Sequence, residues 1–204
     1  MKIGIALNEV LRDYIGQFAY TYEKYYGVPF DIEKNPITDF DLLKHELVEF
    51  ETEYDLKKFL YMEAALEIFG QGDQTHNNIM THFNQFVNRM NDEEEHEIEI
   101  VSREAANSIP ATFFFLSKTL CKAERLRFVK AFEDKWDGVD VLITACPTTL
   151  ESKPSGKISV KVNAPYNKDV KADFEIDDLF KFMEDDDLRE TILNTKTVDF
   201  EDIK

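Results

Sequence analysis

The groups able to do chemistry in this chain stand mostly where a strand gives way to a turn. In KIGIALNEVL, residues 2–11, the apolar stretch Ile3 to Leu7 reads as a short buried strand, and Asn8 and Glu9 open a turn into a helix. A side chain at such a strand end is fixed by the backbone yet open to a ligand, which is where α/β folds build their sites. Here that end carries Ala6, which has no nucleophilic atom. Asn8, two residues on, is an amide and exchanges no proton near neutral pH. A plain structural role also fits both turn residues: Asn8 caps the helix and Glu9 favours its positive end.

Other candidate groups point to structure. His76 and His82 lie six apart, about 600° around a helix and so on different faces, which makes a poor zinc pair. They read as solvated histidines, and His45 and His96 stand alone among acids. Cys146 precedes Pro147 with no histidine nearby in sequence and reads as a small packed hydrophobe. The acidic runs NDEEEHE (91–97) and EDDDLRE (184–190) lack the glycine-centred loop of a calcium hand and read as solvated faces. GQGD (70–73) follows a helix, not a strand, and reads as a helix stop. Phe113 to Leu116 reads as core, with more apolar positions than one helix face needs, which leaves room for a patch facing a partner.

The elements that must position these groups follow from periodicity. Val10, Tyr14, Phe18, Tyr22 and Tyr25 recur at three and four, predicting an amphipathic helix from about Glu9 to Tyr26, ended by Gly27 and Pro29. FDLLKHELVEF, DLKKFLYMEAALEIFG and NNIMTHFNQFVNRM give three helical patterns with no alternating strand between them, so residues 28–95 read as a helical insertion. EIEIVS, ERLRFV, VDVLIT and ISVKVN then read as strands separated by helical or turn segments, with a helix around Pro110 and another from about Ile176 to Met183. Strands alternating with helices predict an α/β fold with a mostly parallel sheet covered on both faces. Its central strands are expected at Ile3 to Leu7, Glu99 to Val101 and Val141 to Thr144. The division is a core of residues 1–27 and 96–185, a cap of 28–95, and an acidic C-terminal tail of 186–204.

Composition limits the partners. At 204 residues and 43% hydrophobic, with 17 Phe and 8 Tyr, the chain can bury a substantial core. A net charge of −17 repels nucleic acid phosphates and anionic membranes, so neither is expected as a partner. No apolar run approaches the ~20 residues that span a bilayer, and the N-terminus lacks the pattern of a signal peptide. Two cysteines, Cys121 and Cys146, make no disulfide framework. The expectation is a protein that is not secreted.

KIGIALNEVLRD, IEIVSRE and VDVLITACPTTLESKPSGKISVKVNAPYNKD, in that order and with a helical block between the first two, resemble the haloacid dehalogenase-like (HAD) phosphohydrolases. The likeness is greatest to the 5'(3')-deoxyribonucleotidase branch, in which a helical cap follows the first strand, and it covers nearly the whole chain. It implies a HAD-like Rossmannoid sheet with an inserted cap. It also implies a nucleophilic Asp at Ala6, an acid/base Asp at Asn8, a phosphate-binding hydroxyl at Ser102, and acidic Mg²⁺ ligands at Thr144 and Ala145. A carboxylate approaches a charged phosphoryl group only when a hard cation neutralises both. Four of these five positions lack the implied group. Ser102 keeps a hydroxyl, though a lone Ser after a strand commonly caps a helix, and Glu104 and Ala105 suit that role. The family's phosphate-neutralising lysine falls by order on Lys118, Lys122 or Lys153.

The expectation is a catalytically inactive HAD-like protein with no cofactor and no metal, acting as a structural or protein-binding module in a larger assembly. The alternative is a working Mg²⁺-dependent nucleotide 5'-phosphatase with displaced ligands. A composition rich in Asn, Lys, Ile, Phe and Tyr resembles proteins of low-GC bacteria and their large phages. It suggests a place in the cytoplasm, the host-cell cytoplasm or a virion.

Overall fold

The computed structural model describes residues 1–92 and 96–195. Six strands, β1 (Lys2–Ala6), β2 (Glu97–Arg103), β3 (Arg125–Val129), β4 (Val141–Thr144), β5 (Ile158–Val162) and β6 (Phe174–Ile176), make one open sheet. The order is β3-β2-β1-β4-β5-β6 and every pair is parallel. The fold is α/β and Rossmann-like. β4 and β5 are buried at every position, so both faces of the sheet are covered there. That explains why VLIT and ISVKV show little of the alternation of a one-sided strand.

The first helix, α1 (Tyr14–Tyr26), begins five residues later than the periodicity predicts. Residues 7–13 instead make a compact turn in which Leu11 and Arg12 N–H groups donate to the Leu7 carbonyl and Glu9 N–H donates to that of Arg12. Glu9 stands there at φ 63, a left-handed conformation unusual for a residue with a Cβ. Asp13 then caps the helix by accepting from Gly16 N–H, and Gly27 closes it at φ 70.

Residues 28–92 are less helical than their sequence predicts. FDLLKHELVEF yields one 3-10 turn, Leu42–Lys44, because Asp39 and Asp41 side chains take up nearby backbone N–H groups. The second pattern forms α2 (Glu53–Lys58) and runs on through two π-helical turns, Phe59–Glu63 and Leu66–Gly70. The third forms α3 (Ile79–Asp92), which lies against β2.

α4 (Ser108–Lys118) carries Pro110 in its first turn, where a missing N–H costs nothing, and α5 (Pro147–Glu151) starts on a proline for the same reason. The predicted helix from Ile176 is corrected: Phe174, Glu175 and Ile176 form the edge strand β6, and α6 (Leu179–Glu184) starts only after Asp178 caps it. Residues 186–194, read from sequence as the start of an acidic tail, form α7 (Asp186–Asn194). Ile192 there is fully buried, and Arg189 donates to the Phe182 and Met183 carbonyls. Residues 196–204, and Glu93 to Glu95 of the acidic run, lie outside the described residues. Among the described residues no helix is long and apolar enough to cross a membrane.

Candidate functional site

β1 lies between β2 and β4, and the sheet order reverses direction between β1 and β4. In open α/β sheets the crevice beyond the carboxyl ends at that point is the usual ligand site. Ala6 ends β1, Ser102 is the penultimate residue of β2 and Thr144 ends β4, with Ala6 registered on Val101 and Ile5 on Ile143. The sheet thus brings Ala6, Asn8, Ser102, Thr144 and Ala145 to one edge, as their order in sequence predicts.

Arg12 ties this edge together. Its side chain is wholly buried, and every nitrogen of its guanidinium donates. Nε and Nη2 reach Asn8 Oδ1 at 2.8 and 2.5 Å, and Nη2 also reaches Glu104 Oε1 at 2.7 Å. Nη1 donates to the Phe69 carbonyl at 2.7 Å and to Thr112 Oγ1 at 2.8 Å. The Phe69 and Phe115 rings lie 5.1 and 5.4 Å from its central carbon. Ser102 Oγ donates to the same Glu104 oxygen at 2.8 Å, so its hydroxyl serves Glu104 and caps no helix. Thr144 Oγ1 accepts from Cys146 N–H, and the Ala145 carbonyl accepts from Asn167 Nδ2. Internal bonds therefore engage Asn8 Oδ1, Ser102 Oγ, Thr144 Oγ1 and Glu104 Oε1 at this edge.

The Mg²⁺ that the resemblance implies does not fit these residues. Ala6 and Ala145 have no donor side chain, and the Thr144 hydroxyl is neutral and already bonded. Glu104 shares one oxygen between Arg12 and Ser102, which leaves Oε2 as a lone buried acceptor without a partner beside a fixed cation. A dication placed there would meet the guanidinium's charge. Among the described residues no group of three His, Cys, Asp or Glu side chains could hold a metal ion. His76 and His82, expected on different faces, both meet the Phe180 ring, and His82 Nδ1 lies 3.1 Å from Glu184.

Above this edge is a cleft of about 80 Å³ that continues into a wider one of about 220 Å³. In the narrower part Tyr14, Tyr61, Phe132 and Tyr166 form aromatic walls, and Glu9, Arg103, Lys135 and Cys146 are the charged or reactive groups; Asp41, Glu53 and Lys57 line the wider part. Glu9 accepts from Ile15 N–H at 2.7 Å, and burial, helped by the neighbouring Asp13, raises its pKa to about 7. Burial likewise holds Tyr14 and Tyr166 well above the ordinary phenol value. Arg103 stacks 4.6 Å from Phe132 and donates to Tyr61 Oη and the Lys130 carbonyl.

Lys118, Lys122 and Lys153 do not line the cleft. Lys118 Nζ donates to the Gln71 and Gly72 carbonyls, Lys153 Nζ holds Asp173, and Lys122 is exposed. The lysine in the cleft is Lys135, on a 3-10 turn, Glu133–Trp136, just before β4. The only sequence signal for it is a lysine beside the chain's one tryptophan, and no periodicity selects it. No protein family's profile matches this chain, and no curated protein matches it.

Proposed function

We propose that this chain is a HAD-like protein of the 5'(3')-deoxyribonucleotidase branch that does not hydrolyse phosphate, and that it works as a structural or protein-binding module. The observation that carries this reading is Arg12. A permanent cation fills the space behind the strand ends and bonds Asn8, while Ala6 leaves no atom to attack phosphorus. Glu104 is an acid at this edge that could stand in for a lost carboxylate, and Arg12 and Ser102 already share it, which weighs against displaced ligands. Partner binding is supported by an outward apolar face. Phe113 and Phe114 stand half exposed, and Leu66 and Phe114 converge over Gly70, where an added Cβ would come within 2.9 Å of Leu66 Cδ1. Composition favours a phage or low-GC bacterial setting, with the virion or the host cytoplasm as the place of work.

The test is hydrolysis. Purified chain with Mg²⁺ should release no phosphate from deoxynucleoside monophosphates or p-nitrophenyl phosphate above the no-enzyme rate, and a turnover of about 1 s⁻¹ would overturn the reading. Restoring Ala6→Asp and Asn8→Asp should not create activity, because Arg12 remains and Thr144 and Ala145 still supply no charged oxygen. Phe114→Asp should abolish co-purification with the native assembly while leaving the fold intact by circular dichroism.

A further inference from the structure

The Cys146 thiol and the Lys135 ammonium are among the cleft groups that stand outside the Arg12 network. Cys146 is a free cysteine at the turn from β4 into α5, 7% exposed and on the cleft wall. Alone it would pack as a small hydrophobe. Lys135 changes its surroundings. It is 6% exposed and lines the same cleft, and its Nζ has no hydrogen-bond or ion-pair partner among the described residues. The Phe132 ring lies 5.6 Å from it.

Lysines this buried are almost always paired. Burial lowers the Lys135 pKa, and of the groups that oppose burial Cys146 acts most strongly, ahead of Glu104, while Arg103 adds to the lowering. Lys135 and Cys146 line the same cleft, and the ammonium has no anion bonded to it among the described residues. The walls say what else a ligand must carry: Tyr61 and Phe132 offer ring faces and edges that suit a flat apolar body.

We propose that Lys135 and Cys146 form a thiol-exchange site for small carboxylate-bearing disulfides, the ammonium holding the carboxylate while Cys146 Sγ takes one half of the disulfide. The thiol proton leaves to solvent and Sγ attacks the nearer sulfur. The new S–S bond forms as the old one breaks, and the departing thiolate carries away the electron pair and is protonated by water. One disulfide is consumed and one is made, so the disulfide itself is the oxidant. Phosphohydrolase activity has no part in this proposal, so the hydrolysis assay does not bear on it.

The experiment compares two disulfides on the full chain carrying Cys121→Ser: dithiobis(nitrobenzoate), anionic and aromatic, and dithiodipyridine, uncharged and aromatic. The rate ratio of anionic to uncharged reagent at Cys146 should exceed the same ratio for N-acetylcysteine by about tenfold or more, within the range that charge focusing in a cleft supplies. Mass spectrometry should place the adduct on Cys146, and added salt should lower the ratio. Lys135→Met should bring the ratio down to that of the small thiol, and Lys135→Arg should keep it raised. In the unsubstituted chain Cys121, whose pKa burial raises, should react more slowly than Cys146. A ratio no higher than that of N-acetylcysteine, a ratio unmoved by Lys135→Met in a folded variant, or a Cys146 inert to both reagents would overturn the proposal. Should Lys135→Met not fold, a salt-independent ratio in the parent chain overturns it equally.

Discussion

Arg12 and Glu104 meet with both side chains fully buried, and such a pair is costly to break from one side. Removing the arginine leaves a carboxylate without water or partner. Arg12→Met should therefore lower the unfolding free energy by about 3–5 kcal/mol in urea titration, and adding Glu104→Gln should recover much of the loss. Equal losses in the single and double variants would show that Glu104 does not depend on its partner. Glu9 gives a pH test. Its carboxyl titrates near 7 when folded and near 4.5 when not, so between those values the native state keeps a proton that the unfolded chain has lost. Its stabilising contribution is complete below about pH 4.5 and disappears as pH rises through about 7. Glu9→Gln has no such loss, so the variant should gain on the parent by on the order of 3 kcal/mol between pH 4.5 and pH 8. Parallel stability profiles would rule this out. Ala6, Asn8, Ser102, Thr144 and Ala145 were locatable in sequence because each stands at or just past the end of a readable strand. The role of Arg12 was not, because its partners Phe69, Glu104 and Thr112 are 57, 92 and 100 residues away.

At the level of elements, sequence patterns were most informative where burial was complete. β4 and β5 are buried at every position and rich in Ile and Val, β1 is buried after its first residue, and β2 shows its strand by alternation, Glu97 and Glu99 against Ile98 and Ile100; their parallel pairing follows from the helical or turn segments between them. β6 was hidden because three residues, Phe174, Glu175 and Ile176, carry too little alternation to separate a strand from a helix start. α7 was hidden by its charge: Asp186, Asp187 and Glu190 read as solvated tail, yet Asp185 caps the helix through Leu188 N–H and Ile192 reaches the core. Ile192→Ala should accordingly cost about 2–5 kcal/mol, which a true tail residue would not. Thermal unfolding of that variant beside Thr191→Ala, whose side chain is exposed and donates only to the Asp187 carbonyl, separates the two cases. The π-helical turns at Phe59–Glu63 and Leu66–Gly70 escaped the sequence reading because an apolar period near 3.6 does not distinguish them from an α-helix.

Over the whole molecule, charge and topology act in opposite directions. A net charge of −17 on a folded chain is self-repulsive, and added salt screens it. Raising NaCl from low to physiological concentration should increase the melting temperature by roughly 2–4 °C, the shift that about 1 kcal/mol produces in a chain of this size. A fall would mean that the exposed ion pairs, Lys2 with Glu97 among them, outweigh the repulsion. The sheet order has a different consequence, one that unfolds in time. β1 precedes the other five strands in the chain and sits third in a row of six, bonded on one side to β2 and on the other to β4. The bond from Lys2 N–H to Asp140 spans 138 residues. At about 5–20 residues per second, β1 would wait on the order of ten seconds for its second neighbour to be synthesised. During that interval Ile3 and Ile5 have one flank uncovered, and a nascent chain halted before residue 139 should bind chaperone or protease where a chain released after residue 195 does not.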